Sequence, residues 1–191
     1  MKIGLYFGSF NPIHIGHLII ANYIAQNTQI EQVWLVVSPQ NPLKITNTLL
    51  NEYQRLHLAQ LAVEQNPYIK VSDIEFKLPR PSYTIDTVAY LKEKHPQHSY
   101  SIIMGSDSFQ NIHKWKNADI LKKENEFIVY PRDGFSIKQV NNDIEKLEII
   151  QAPLLNISAT EIRKAIKQGK SIRYFVTDKV LEEIEKGGYY K

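Results

Sequence analysis

The chain of 191 residues contains no cysteine. Disulfides and thiolate metal sites are therefore excluded. No run approaches the roughly 18–20 apolar residues that a membrane span needs, so no membrane partner is expected. No long apolar segment follows the first lysine, so no signal peptide is expected either, and a cytoplasmic protein is the default. Blocks of like charge are also missing. The net charge is +3 and the basic residues are dispersed. A concentrated basic face is the usual mark of a nucleic-acid binder, and without one no nucleic-acid partner is expected. The small positive surplus suits anionic substrates. No internal repeat, low-complexity segment or interdomain linker interrupts the chain. One domain over residues 1–191 is the expectation, and it is long enough to bury a substantial core without staples.

What is present is concentrated first in residues 4–17. An apolar run over residues 3–7 is short enough for one buried strand. Gly8 breaks it and Pro12 stiffens the loop that follows. From Ile15 the apolar spacing becomes helical and continues to about residue 26. A helix starting beside a strand end offers unpaired backbone N–H groups and partial positive charge, which suits a phosphate. Gly8 and Gly16 allow close approach of backbone and ligand. His14 and His17, three apart at the helix start, point to the same side. The bland alternative is a core strand and helix with two surface histidines. His95 and His98 have the same spacing in a polar loop and suggest no chemistry, so the context of residues 8–17 carries the signal rather than the spacing.

Further along, residues 31–37 read as a second buried strand, completing a strand–helix–strand unit of the kind that builds parallel sheets. A loop with two prolines follows, and Lys44 could reach an anion from it. Asn51 is a plausible N-cap for a helix over residues 52–65. Residues 68–76 alternate enough to predict a strand. Thr84 reads as the N-cap of a helix over residues 85–93. Residues 100–104 form another strand, ending in Gly105-Ser106-Asp107, with a short irregular helix reaching Trp115. Residues 126–130 and 147–150 predict two more strands, with a short helix expected within residues 135–145. Ser158 and Glu161 form a capping box, so a helix starts at Ser158, and a last one spans about residues 177–186. The fold class is α/β: a doubly wound, mainly parallel sheet with helices on both faces and C-terminal helices. The dinucleotide fingerprint G-x-G-x-x-G is missing after the first strand, which counts against a dehydrogenase.

The run Gly8-Ser9-Phe10-Asn11-Pro12-Ile13-His14-Ile15-Gly16-His17 resembles the G-x-F-x-P-x-H-x-G-H signature of the nucleotidyltransferase superfamily, with Asn11 where members commonly carry Asp. Ile157-Ser158-Ala159-Thr160-Glu161-Ile162-Arg163 is similar to that superfamily's second signature, I-S-S-T-x-I-R. Asn41-Pro42-Leu43-Lys44, Tyr83-Thr84 with Thr87, and Gly105-Ser106-Asp107 with Trp115 resemble segments of the bacterial nicotinate mononucleotide adenylyltransferases. The resemblance implies a Rossmann-like nucleotidyltransferase fold and transfer of the adenylyl group of ATP to nicotinate mononucleotide in NAD biosynthesis. It implies ATP contacts from Gly8, Ser9, Phe10, His14, His17, Gly105, Asp107, Ile157, Ser158, Thr160 and Arg163. Among these, His14, His17 and Arg163 would be catalytic. Asn41, Lys44, Thr84, Trp115 and Arg132 would hold the acceptor. Mg²⁺ would bridge the ATP phosphates with few protein ligands, and a homo-oligomer is possible. Nicotinamide mononucleotide or phosphopantetheine as acceptor, or a non-enzymatic nucleotide-binding module, remain the alternatives.

Overall fold

The computed structural model describes residues 1–40, 49–135, 144–153 and 155–191. Six strands form one sheet in the order β3-β2-β1-β4-β5-β6, and every neighbouring pair is parallel. The strands are β1 (Lys2–Gly8), β2 (Gln32–Val37), β3 (Ile69–Ser72), β4 (Ser99–Gly105), β5 (Glu126–Tyr130) and β6 (Leu147–Ile149). The helices are α1 (Ile15–Asn27), α2 (Glu52–Val63), α3 (Thr84–Lys94), α4 (Ser106–Gln110), α5 (Ala118–Glu124), α6 (Ala159–Lys167) and α7 (Asp178–Gly187).

Parallel strands buried on both faces read as unbroken apolar runs. In β4, Ile103 belongs to one core, while Ile102 and Met104 face the other. The first core is closed by α1, α2 and α7 through Ile24, Leu58 and Val180. The second is closed by α3, α4 and α5 through Leu91, Phe109 and Leu121. Strand order reverses between β1 and β4, and open α/β sheets bind ligands beyond the carboxyl ends of their strands at such a reversal. No helix among the described residues is long and apolar enough to cross a membrane.

Some local expectations are corrected. The strand predicted over residues 68–76 stops at Ser72, and a single 3₁₀ turn, Ile74–Lys77, replaces its second half. The Ser72 hydroxyl accepts the Ile74 N–H at 3.3 Å, and the Asp73 carbonyl accepts the Phe76 N–H at 2.9 Å. These local bonds compete with the sheet ladder and turn Glu75 inward. Thr84 is the first residue of α3 rather than its N-cap, because the Tyr83 carbonyl already accepts the Asp86 and Thr87 N–H groups. Helix α5 has no counterpart in the sequence reading. Asn117, at φ 51°, turns the chain into it and Leu121 anchors it. The helix expected within residues 135–145 lies mostly outside the described residues.

Candidate active site

The loop from β1 to α1 is built around Phe10, which is buried under it. A Cβ at Gly8 would stand 2.8 Å from the Phe10 ring, so only glycine lets the ring fold back there. His14 takes the N-cap position of α1, and its ring stacks on His17 with centroids 3.6 Å apart. Gly16 makes room for that ring, since a Cβ there would lie 3.1 Å from His14 Nδ1. The His14 N–H donates to His17 Nδ1 at 3.3 Å. A neutral His17 therefore carries its hydrogen on Nε2.

His14 is buried, and its Nδ1 has no hydrogen-bond partner among the described residues. Burial first, and the Arg132 charge second, lower its pKa from 6.5 to about 4. It is therefore a neutral donor at physiological pH. As pH falls, the unfolded chain takes up a proton before folded His14 does. The stability contributed by neutral His14 is intact above pH 6.5 and is lost as pH falls toward 4. At about 1.36 kcal/mol per pH unit the loss is roughly 3 kcal/mol. Urea midpoints measured across that window should fall in the wild-type protein and fall less in His14→Gln.

The two signature segments meet through Arg163. Its guanidinium donates to the Asn11 carbonyl at 2.7 Å and to the Thr160 hydroxyl at 3.2 Å. Ser158 caps α6 by accepting the Glu161 N–H at 3.2 Å. The return half of the capping box is altered: the Glu161 carboxylate accepts from the Ser158 hydroxyl at 3.2 Å. The Asn11 side-chain oxygen accepts the Leu50 N–H at 3.1 Å, a bond that requires an oxygen and no charge.

At the ends of β4 and β5, a second group faces His14. Arg132 lies 3.8 Å from the Asp107 carboxylate and donates to the Tyr130 hydroxyl at 3.3 Å. Tyr130 in turn shares a 2.8 Å hydrogen bond with the Tyr6 hydroxyl. Burial lowers the pKa of Arg132, but Tyr130 and Asp107 outweigh it and the net direction is up. Gly105 permits this approach, because a Cβ there would meet Asp107 Oδ1 at 2.5 Å.

On the far side, Lys116 pairs with Asp86 at 2.8 Å and sits 4.8 Å above the Tyr83 ring. Half-buried Trp115 packs against the second core and lines the same cleft as Thr84 at the start of α3. One cleft of about 1040 Å³ runs between these walls. It is lined at one end by Gly8, Ser9, Phe10, His14 and His17, and along one side by Ile157, Ser158, Thr160 and Arg163. Gly105, Asp107, Arg132, Thr84 and Trp115 complete it. Asn41 and Lys44 lie outside the described residues. The control pair, His95 and His98, precedes β4 at the opposite end of the sheet.

Sequence reasoning missed residues whose signal is purely spatial. Arg55 is fully buried. It donates to the carbonyls of Leu50 (2.8 Å), Ser9 (2.6 Å), Ser38 (2.8 Å) and Pro39 (3.1 Å). Glu75 and Ser82 are buried in the cleft wall, and Lys114 adds a cation to its lining.

The profile of the cytidylyltransferase-like family matches residues 5–165. A Flavobacterium psychrophilum protein named "Probable nicotinate-nucleotide adenylyltransferase" is 50% identical over 194 residues, covering 100% of both chains. A Caldicellulosiruptor bescii protein of the same name is 40% identical over 199 residues, also covering 100% of both. Among solved structures, the Plasmodium falciparum nicotinic acid mononucleotide adenylyltransferase complexed with NaAD superposes with a TM-score of 0.85. It is 24% identical, over 99% of this chain and 97% of that one, and so supports the fold.

Proposed function

This chain belongs to the cytidylyltransferase-like family of nucleotidyltransferases, and from that premise we propose how its cleft forms nicotinate adenine dinucleotide from ATP and nicotinate mononucleotide. The observation that carries the reading is the Arg163 bridge, which closes the segment around Ser158 onto the β1–α1 loop across one cleft.

The nucleophile is the phosphate of the mononucleotide, already anionic at neutral pH, so no general base is required. One of its oxygens bonds to the α-phosphorus of ATP, the bond to the bridging oxygen of the β-phosphate breaks, and pyrophosphate leaves. Catalysis is then alignment and charge stabilisation. His14 and His17 donate ring N–H groups to the triphosphate. Arg163 and the backbone amides after Ser158 hold its far end. Arg132, facing both Asp107 and His14, serves the junction where the two phosphates meet. Asp107, beside Arg132, receives the ATP ribose in this reading. Thr84 and Trp115 hold the nicotinate ring, Trp115 by stacking. Lys44 and Asn41 belong to the acceptor side in this reading.

In this reading Mg²⁺ enters with the nucleotide, held mainly by its phosphates. Among the described residues no three histidine or carboxylate side chains converge to bind an ion on their own. When bound, the ion neutralises phosphate charge.

The test is pyrophosphate release from ATP and Mg²⁺, with nicotinate mononucleotide, nicotinamide mononucleotide and phosphopantetheine assayed in parallel. Preference for the nicotinate form is expected. Activity with another acceptor would keep the triphosphate site and discard the acceptor pocket, and silence with all three would remove the transferase mechanism. In the same assay Trp115→Ala should raise the acceptor KM by about 5- to 100-fold, the scale of one lost stacking contact. The KM for ATP should stay unchanged.

A further inference from the structure

Glu75 is 2% exposed, yet it stands in the cleft wall behind the acceptor side. Its Oε1 lies 3.0 Å from the Thr87 hydroxyl. Its Oε2 is buried without a hydrogen-bond partner among the described residues, and so is the adjoining Ser82 hydroxyl oxygen. The hydroxyls of Ser38 at the end of β2, Thr87 on α3 and Ser82 in the intervening loop favour the ionised carboxyl, and burial outweighs all three. Among the described residues, Arg80 is paired with Glu52, Lys77 with Asp73 and Lys116 with Asp86, and Arg55 is committed to four carbonyls. Burial of a carboxylate with no counter-charge is costly, and an added proton removes that cost. Burial accordingly raises the Glu75 pKa.

The Thr87 hydroxyl ties Glu75 to the start of α3. Its oxygen also lies 3.3 Å from the Tyr83 carbonyl, which closes the first turn of α3. A hydroxyl has one hydrogen to donate. The Tyr83 carbonyl already accepts the Asp86 and Thr87 N–H groups, so the hydroxyl is a third donor to it. A Glu75 that keeps its own hydrogen can give it to Thr87 and leave the Thr87 hydrogen for Tyr83.

We propose that Glu75 is a positioning residue, a neutral carboxylic acid that donates to Thr87 and through it fixes the first turn of α3, with Thr84, against the cleft. The hydrogen stays on Glu75 throughout, and no bond to substrate is made or broken by it. A neutral acid at this place also spares an anionic acceptor the repulsion of a buried carboxylate. The kinetic part rests on the acceptor assignment above, whereas the protonation itself does not.

The experiment compares wild type with Glu75→Gln, Glu75→Met and Glu75→Ala. Infrared difference spectra of the purified protein at pH 7, wild type minus Glu75→Gln, should show the carbonyl band of a protonated acid. A carboxylate band alone overturns the proposal, whatever the enzyme turns over. In kinetics, Gln can still donate to Thr87 and should keep the acceptor KM near wild type. Met fills the same space without donating and should raise it about tenfold, the scale of one lost buried hydrogen bond. Ala should do at least the same, with the ATP KM unmoved in all three. Equal behaviour of Gln and Met would reduce Glu75 to a filler of space and overturn its positioning role. If Ala fails to fold, the Gln and Met pair still decides.

Discussion

His17→Ala is expected to lower turnover by about 10² to 10³, or 2.7–4 kcal/mol of transition-state stabilisation, the scale of a lost oxyanion-hole donor. His17 is suited to this by its surroundings. Its ring is held from three sides, by His14 at 3.6 Å, Phe10 at 5.1 Å and Tyr6 at 6.1 Å between centroids. Its Nδ1 is committed to the His14 backbone. Donation therefore comes from Nε2, fixed before substrate arrives, and preorganised donors cost no reorganisation at the moment of reaction. The substitution removes one half-buried ring from a helix start, so the melting temperature should change little while kcat falls. Steady-state pyrophosphate assays and a thermal melt of the same sample separate the two effects. An unchanged kcat would take His17 out of the mechanism.

Arg55→Met should instead act on stability, costing roughly 4 kcal/mol where whole domains hold about 5–15 kcal/mol. Four carbonyls depend on this guanidinium, and methionine satisfies none of them. A buried acceptor left unpaired costs about 1–3 kcal/mol. The separate costs do not add in full, because a loosened loop can turn some carbonyls to water. Burial lowers the Arg55 pKa, and Glu52 and Tyr190 oppose that direction. An arginine starts so far above neutrality that it stays charged. Arg55→Lys should recover only part of the loss, since one ammonium cannot span the fork of positions at Leu50, Ser9, Ser38 and Pro39. Urea denaturation read by circular dichroism gives the value. A loss below about 1 kcal/mol would mean that water replaces the arginine easily.

These two residues mark what the sequence makes legible. His17 sits in a contiguous signature, and its spacing from His14 translates directly into a shared face at a helix start. The sheet is legible for a similar reason: buried parallel strands are apolar runs, and runs survive in one dimension. Ser158 is legible because its partner is three residues away. Arg55 reads as one charge early in an amphipathic helix. Its role depends on carbonyls up to 46 positions distant, which leave no trace in local pattern. Glu75 is hidden in the same way, inside a stretch whose alternation suggests strand until Ser72 and Asp73 bind their own backbone. Thr84 looks like a cap in the sequence because residue type cannot tell which of two adjacent carbonyls starts the helix. Helix α5 is short, Leu121 is its only buried residue, and its anchoring is tertiary.

The Arg163 bridge also has a bearing on synthesis. The residues it joins are 152 positions apart. β1 precedes the other five strands in the chain but lies in the middle of the sheet, waiting for β2 on one side and β4 on the other. Pairings of such separation form slowly, because the chain between them must be ordered before they contribute. A nascent chain that has released β1, α1 and β2 already contains the glycine loop and both histidines, yet it has nothing to close over a nucleotide. The cleft is completed only when residue 163 is out and folded back onto residue 11. On the proposed mechanism, adenylyl transfer would be withheld from every shorter intermediate of translation, and a ribosome stalled before α6 would leave a product without the Arg163 bridge.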